Sequence, residues 1–167
     1  DLLFDASKPL EGCLYGLEAL GALRIEKGHV TGAELDGRVT IEDAGLGKLA
    51  SKKKSYIGDV LRKRPVMLDT NRPRLVGIFP KDQTQTFNAG TILCKPDNIS
   101  GFGEGWITGV TYSPALGHWI GLGFISGGFE NWVGQTAIVA DPVRGKYVNV
   151  EIVSPHMFDA DGERLHA

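Results

Sequence analysis

The sequence predicts an α+β chain in which a charged, partly helical segment precedes a small antiparallel β-barrel or β-sandwich. Charge marks the division: residues 1–70 carry 22 of the 38 charged side chains, whereas no Lys or Arg stands between Lys95 and Arg144. That long stretch is rich in β-branched and aromatic residues, which favour strands. Of the 23 glycines, 14 follow residue 70, and glycines inside strand patterns are typical of a closed, strongly coiled sheet.

Two helices are predicted before residue 70. Gly28 is placed to end the first helix, whose single apolar face is formed by leucines at steps of three: Leu14, Leu17, Leu20 and Leu23. A second helix is predicted over residues 56–64, with Ser55 as its N-cap and Pro65 at its end. Three of its residues are expected to point inward: Ile57, Val60 and Leu61. The Asp-Gly pair at residues 36–37 predicts a tight turn between short extended pieces.

Five or six strands are predicted after residue 70, at the roughly regular spacing of a small antiparallel barrel or sandwich. The candidates are residues 74–79, 91–94, 106–112, 118–125, 135–140 and 146–153. Ser113-Pro114 separates the third candidate from the fourth, and residues 141–145 separate the last two.

Length and composition exclude several classes of protein. The 167 residues provide for one ordinary domain or two small ones. Hydrophobic residues at 42% and charged residues at 23% exclude a disordered or fibrous chain. A net charge of −2 excludes a general polyanion binder. No window reaches the run of about 18 apolar residues that a membrane span needs.

The start of the chain and its cysteines indicate its context. The chain begins at Asp1 within an amphipathic run, so we expect a fragment of a longer polypeptide. Cys13 and Cys94 have neither CxxC spacing nor clustered histidines around them, so no disulfide framework and no metal site is predicted. These features favour a reducing, cytoplasmic location.

Three local patterns resemble catalytic or nucleotide-binding motifs but match them poorly. The glycine loop at residues 101–105 fails the GxGxxG pattern, since Trp106 stands at its last position and a strand follows. Residues 51–54 (SKKK) fit the S-x-x-K pattern of acyl-transfer enzymes without the motifs that accompany it. Cys13 and His29 allow a catalytic dyad, but a buried cysteine and a surface histidine are the commoner arrangement.

Charged side chains provide two better candidates. Residues 48–64 carry seven basic side chains against Asp59 alone, which fits either a solvated face or an anion site for phosphate or carboxylate groups. Glu26 follows the leucine face and is expected close to the core, where a carboxylate needs a partner. On the residues alone, we favour a structural pair between Glu26 and Arg24.

Three segments, in order, resemble the folate-binding aminomethyltransferase family, typified by the T protein of glycine cleavage. They are residues 23–28 (LRIEKG), 43–47 (DAGLG) and 110–117 (VTYSPALG). The similarity covers about residues 10–155. Within the family, the chain resembles the C-terminal, tetrahydrofolate-binding part of the α subunits of heterotetrameric sarcosine oxidases. The segments that carry this second resemblance are residues 23–29, 99–125 and 140–158.

The resemblance implies a fold and domain boundaries. Three domains surround a central folate channel in this family. Residues 1–28 would be the end of the first domain, and residues 29–70 a second α+β segment with the basic stretch. Residues 71–158 would form the C-terminal antiparallel β-barrel, followed by a tail at residues 159–167.

The resemblance also implies site residues. The glutamate of the L-R-[IL]-E-x-G motif holds the pterin ring in the T protein, and that position is Glu26. A pterin offers a ring N–H beside an exocyclic amine, a donor pair that one carboxylate accepts. An arginine of a G-K-R-R-R run holds the folate carboxylate, and the corresponding residue is Lys54, a point charge rather than a bidentate clamp. Lys52 and Lys53 are alternatives. The family's catalytic aspartate lies upstream of Asp1, so no catalytic residue is expected in this chain.

The implied function is that of part of an oxidoreductase, which demethylates sarcosine to glycine and forms 5,10-methylenetetrahydrofolate. Tetrahydrofolate would bind this part, whereas FAD, FMN and NAD would bind the intact enzyme outside it. The implied partners are the rest of the α subunit and the other subunits of the heterotetramer, without nucleic acid or membrane. The chain alone is expected to be inactive.

Two alternatives remain open. One is an aminomethyltransferase or a dimethylglycine dehydrogenase-like folate domain. The other, from a different class, is a small β-barrel module that binds nucleic acid through residues 48–64.

Overall fold

The computed structural model of the protein describes residues 2–99 and 102–165. Gly101 of the glycine loop and the last two residues of the predicted tail lie outside this range. The helices are α1 (Leu2–Ser7), α2 (Leu17–Lys27) and α3 (Asp59–Arg62). The strands are β1 (Pro73–Pro80), β2 (Ile92–Cys94), β3 (Gly105–Ser113), β4 (His118–Ser126), β5 (Thr136–Asp141) and β6 (Lys146–Val153). Short 3-10 helices cover Lys8–Leu10, Gly47–Leu49, Pro65–Met67, Phe129–Trp132 and Glu163–Leu165.

The strands form a closed antiparallel barrel. They are hydrogen-bonded in the order β1-β4-β3-β2-β5-β6, and β6 pairs with β1 to complete the circle. Closure pairs the sheet edges that would otherwise attract other chains. The predicted α+β class with a C-terminal antiparallel barrel is therefore confirmed. Each strand begins and ends within one residue of its predicted bounds.

Apolar side chains fill the barrel, and a glycine makes room for the ring of Phe87. The buried cluster includes Val76, Ile78, Phe87, Leu93, Ile107, Ile125, Val139, Val148, Val150 and Ile152. A Cβ placed on Gly121 of β4 would stand 2.8 Å from the ring of Phe87, closer than real Cβ atoms approach. Glycine is required at this position because the phenylalanine ring occupies the space that a side chain needs.

Helix α2 packs against the outside of this barrel. Ile25 is buried against Ile120 and Leu122 of β4. Strand β4 is thus covered on both faces, which explains its nearly continuous apolar sequence. The helix ends at Gly28, as predicted, where φ is +72° and a Cβ would meet the carbonyl oxygen of Pro155 at 2.5 Å.

A buried ion pair joins residues 29–70 to the barrel. Arg72, just before β1, donates from Nη2 to Oδ2 of Asp43 at 2.5 Å and from Nε to both carboxylate oxygens at 3.1 Å. The Asp43 carbonyl oxygen also accepts a hydrogen bond from Leu75 N of β1 at 2.8 Å. Burial would raise the pKa of the Asp43 carboxyl, but hydrogen bonds from Arg72 and Thr40 hold this pKa below its usual value.

The first predicted helix is shorter than expected and turns a different face inward. Helix α2 begins at Leu17, so Leu14 lies outside it. The leucine face is exposed rather than buried, and Ile25 and Glu26 are the residues turned toward the barrel. Period alone identifies an apolar face but not the surface that covers it. The expectation that Glu26 lies close to the core agrees with its burial.

The second predicted helix was also wrong in extent. Helix α3 covers four residues, and its N-cap is Gly58, with a left-handed φ of +93°, rather than Ser55. The three side chains expected to point inward, Ile57, Val60 and Leu61, are exposed. The turn at residues 36–37 is present, since the Asp36 carboxylate accepts a hydrogen bond from Arg38 N at 2.8 Å. No strand flanks it in residues 29–58, all of which the structure describes.

Candidate functional site

Glu26 lies in the last turn of α2, against the end of β3. Its residue is 4% exposed, and its carboxylate Oε1 accepts a hydrogen bond from Ser113 Oγ at 2.5 Å. Ser113 is the last residue of β3 and is fully buried. Among the residues that the structure describes, none forms a hydrogen bond with the second oxygen, Oε2. One oxygen of a buried carboxylate is therefore held by the protein, and the other remains free to accept.

The segment after β6 fixes the backbone of Glu26. The Glu26 carbonyl oxygen accepts hydrogen bonds from Met157 N and Phe158 N, both at 3.0 Å. Next to it, Lys27 Nζ forms an ion pair with Asp159 Oδ2 at 2.9 Å. The two backbone hydrogen bonds satisfy a carbonyl group that the end of a helix would leave unpaired. They also hold α2 in one position on the barrel.

Glu26 borders a cleft of about 320 Å³ between α2 and the C-terminal segment. The other lining residues are Leu20, Leu23, Arg24, Lys27, His29, Phe158, Asp159 and Arg164. The cleft thus combines apolar walls from the exposed leucine face with a few charged groups, as is usual where a small molecule binds.

Arg24 does not pair with Glu26, so that prediction was wrong. Its Nη1 lies 3.0 Å from Oε2 of Glu34, which also accepts hydrogen bonds from Thr31 N at 2.8 Å and Thr31 Oγ1 at 3.1 Å. Burial would raise the pKa of the Glu34 carboxyl, but the polar groups of Thr108 and Thr31 and the charge of Arg24 hold it below its usual value. Because Glu34 takes the guanidinium, Glu26 keeps its free oxygen.

A bulge in β3 makes room for the Arg24–Glu34 pair. The register of β3 against β4 shifts between Ile107 and Gly109. A Cβ on Gly109 would stand 3.1 Å from Nη2 of Arg24, so a larger residue would crowd the guanidinium. An isolated glycine within a strand pattern was the sequence signal for this bulge. Nothing local indicated Glu34 as the partner of Arg24.

Lys54 is exposed. It is not among the residues that line the cleft beside Glu26. Its backbone N–H and that of Lys53 donate to Ser51 Oγ at 2.9 and 3.2 Å, so the serine of the SKKK run stabilises a turn. In the described part of the chain, the side chains of Lys52, Lys53 and Lys54 form no ion pair.

Other basic residues of the stretch are engaged within the protein. Lys63 pairs with Asp59 at 2.6 Å, and Arg62 pairs with Glu42. The basic stretch is therefore partly a solvated, self-paired surface and partly a short run of free ammonium groups. No group of residues within 2–99 and 102–165 has the composition and geometry to hold a metal ion, and no helix there is long and apolar enough to cross a membrane.

The closed barrel and the helix that packs on it define a class of protein. The model of the glycine cleavage T-protein C-terminal barrel domain matches residues 74–159, just over half of the chain. The chain belongs to the glycine cleavage T-protein family, which confirms the resemblance seen in the sequence. Glu26 and Lys54 precede the matched residues.

Individual relatives extend the similarity to the whole chain. It is 34% identical over 169 residues to sarcosine oxidase subunit alpha of Rhizobium meliloti (strain 1021), covering 99% of this chain and 17% of that protein. It is 31% identical over 157 residues to an aminomethyltransferase of Francisella tularensis subsp. tularensis (strain WY96-3418), covering 90% of this chain and 39% of that protein. The chain thus spans a minor part of either relative.

A solved structure shares the fold. The crystal structure of glycine cleavage system aminomethyltransferase T from Bartonella henselae superposes with a TM-score of 0.67 at 23% sequence identity. The match covers 87% of this chain and 39% of that one.

Proposed function

We propose that this chain forms part of a tetrahydrofolate site and that Glu26 binds the pterin ring. The observation that carries the proposal is the buried Glu26, which lines a cleft: Ser113 holds its Oε1, and no described residue forms a hydrogen bond with its Oε2. Among the described residues, Oε2 is neither hydrogen-bonded nor fully enclosed, so a donor from outside the protein can reach it. A donor pair on a ligand could bind there.

The residues fit the chemistry of a reduced pterin. Its ring N–H and exocyclic amine both donate, and an ionised carboxylate only accepts. Charge-assisted hydrogen bonds of this kind are about twice as strong as neutral ones. Bound tetrahydrofolate supplies nucleophilic nitrogens that accept a one-carbon unit. The role of this chain is to bind and orient the folate, since correct positioning of the reactants accelerates the reaction.

Lys54 is proposed to hold the carboxylate tail of the folate, with Lys52 and Lys53 as alternatives. Support comes from the exposure of the three ammonium groups and from the lack of ion pairs to them in the described residues. A lysine attracts the tail as a point charge and does not fix its orientation.

For the whole protein, we propose the α subunit of a heterotetrameric sarcosine oxidase, which converts sarcosine to glycine and forms 5,10-methylenetetrahydrofolate. Support comes from the relative of that name, which matches 99% of the chain. FAD, FMN and NAD would bind outside this chain, and the remaining α-subunit domains and the other subunits would be its partners. The exposed free thiol of Cys13 favours a reducing cytoplasm.

An aminomethyltransferase is the second candidate, favoured by the relative of that name at 31% identity. Assays of the intact protein, with any partner subunits that purify with it, distinguish the two. Consumption of sarcosine with an electron acceptor supports the oxidase. Transfer of the carbon of an aminomethyl donor to tetrahydrofolate, with release of ammonia and without sarcosine oxidation, supports the aminomethyltransferase.

The test of the folate site is titration calorimetry of tetrahydrofolate with the intact polypeptide that carries this chain. Glu26→Ala should weaken binding by about 10- to 100-fold, because hydrogen bonds to a charged group contribute about 1.5–3 kcal/mol. Glu151→Ala, which removes an exposed carboxylate of β6, is the matched control and should leave affinity unchanged. Equal affinities for the Glu26→Ala and Glu151→Ala proteins would refute the proposal.

A further inference from the structure

Ser113 makes two hydrogen bonds whose directions are determined. Its Oγ accepts from Leu116 N at 3.0 Å and donates to Glu26 Oε1 at 2.5 Å. A hydroxyl has a single proton to donate. Because Leu116 N–H can only donate, the hydroxyl proton of Ser113 is directed to Glu26.

The backbones on both sides of this contact are held. Gly117 N donates to the Ser113 carbonyl oxygen at 2.8 Å, which closes the β3–β4 hairpin, and Ser113 pairs with His118 in register. On the other side, the Glu26 carbonyl oxygen accepts two hydrogen bonds from the segment after β6. With both backbones held, the hydrogen bond from Ser113 restricts the rotation of the Glu26 carboxylate group.

We propose that Ser113 is a positioning residue: it orients the Glu26 carboxylate so that the face carrying Oε2 meets the amine edge of the pterin. The inference rests on the proposed function of Glu26 as the pterin ligand. A carboxylate pinned through Oε1 accepts a pair of N–H donors at a defined angle. The carboxylate repels a ligand edge that presents acceptors, since an ionised carboxylate has no proton to donate. Ser113 thereby contributes to the choice of ligand without touching it.

The test compares two ligands and three variants by titration calorimetry on the intact polypeptide. Ser113→Ala should weaken tetrahydrofolate binding about tenfold, the usual effect of losing one charge-assisted hydrogen bond. It should weaken binding of the 2-desamino analogue of tetrahydrofolate by less than about threefold, since that ligand lacks one of the two donors that the orientation serves. Ser113→Thr, which keeps the hydroxyl, should restore most of the affinity.

Ser126→Ala is the matched control. The Ser126 hydroxyl donates to the Glu104 carbonyl oxygen at 2.9 Å at the opposite end of β4, so its loss should leave both affinities unchanged. If Ser113→Ala does not fold, Ser113→Cys replaces it, because a thiol of similar size is a weak donor and carries the same expectation.

The outcomes separate this inference from the proposed function. If Glu26→Ala weakens tetrahydrofolate binding and Ser113→Ala does not, the positioning role is wrong and the folate site stands. An equal loss for both ligands in Ser113→Ala also overturns the inference, because it indicates a structural defect without orientation. If Glu26→Ala has no effect, the proposed function fails first, and this inference fails with it.

Discussion

The Arg72–Asp43 pair provides the sharpest test of how residues 29–70 are attached to the barrel. The Asp43 side chain is 4% exposed and that of Arg72 is 17% exposed, so the pair is largely removed from water. Arg72→Met keeps the apolar stem and removes the guanidinium. Of the hydrogen bonds that the described residues donate to this buried carboxylate, the one from Thr40 N at 2.9 Å then remains. Breaking such a pair from one side costs about 3–5 kcal/mol, and the partial exposure of Arg72 places the expectation near about 3 kcal/mol.

Urea unfolding followed by tryptophan fluorescence measures this loss, because all three tryptophans lie in barrel strands or in the 3-10 helix after β4. A loss of about 3 kcal/mol corresponds to a melting temperature lower by about 6–12 °C for a chain of this size. Lys63→Met is the control: it breaks the exposed pair with Asp59 and should cost less than about 1 kcal/mol.

A second variant tests the physical cause. If Arg72→Met lowers stability because the buried Asp43 carboxylate loses its ion-pair partner, then adding Asp43→Asn should recover part of the lost stability. The asparagine amide is neutral, and its oxygen still accepts the hydrogen bond from Thr40 N. The reasoning is refuted if Arg72→Met costs no more than Lys63→Met, or if the added Asp43→Asn lowers stability further.

Two further predictions concern titratable groups. The pKa values of the Asp43 and Glu34 carboxyls are lowered in the folded chain from usual values of 3.8 and 4.5, so the unfolded chain binds protons more readily. The free energy of unfolding should therefore fall as pH drops below about 4.5, and it should fall less steeply in the Asp43→Asn protein. Urea titrations at several pH values measure this dependence, and equal slopes for the unchanged and Asp43→Asn proteins would contradict the prediction. Burial, and next the Glu104 carboxylate, raise the pKa of the buried Cys94 thiol, whereas Cys13 is exposed. A maleimide should therefore label Cys13 within minutes and Cys94 only on unfolding. Two labels on the native protein in mass spectrometry would contradict this prediction.

The fold of the second half was predictable because strand signals are local. Strand β6 covers the eight residues that its alternating sequence predicts. Gly28 ends α2 because the backbone there adopts left-handed angles, which glycine tolerates best. Glu26 was also predictable as a candidate, since the motif around it is contained in six consecutive residues.

Only the tertiary structure decided which groups meet. Ser113 and Glu26 are 87 positions apart, and their contact depends on how the β3–β4 hairpin closes beneath α2. Arg24 pairs with Glu34 rather than Glu26 because a bulge in β3 and the absence of a side chain at Gly109 leave space for the guanidinium. Local propensity depends on neighbours along the chain, whereas these contacts depend on barrel register and on packing between distant elements.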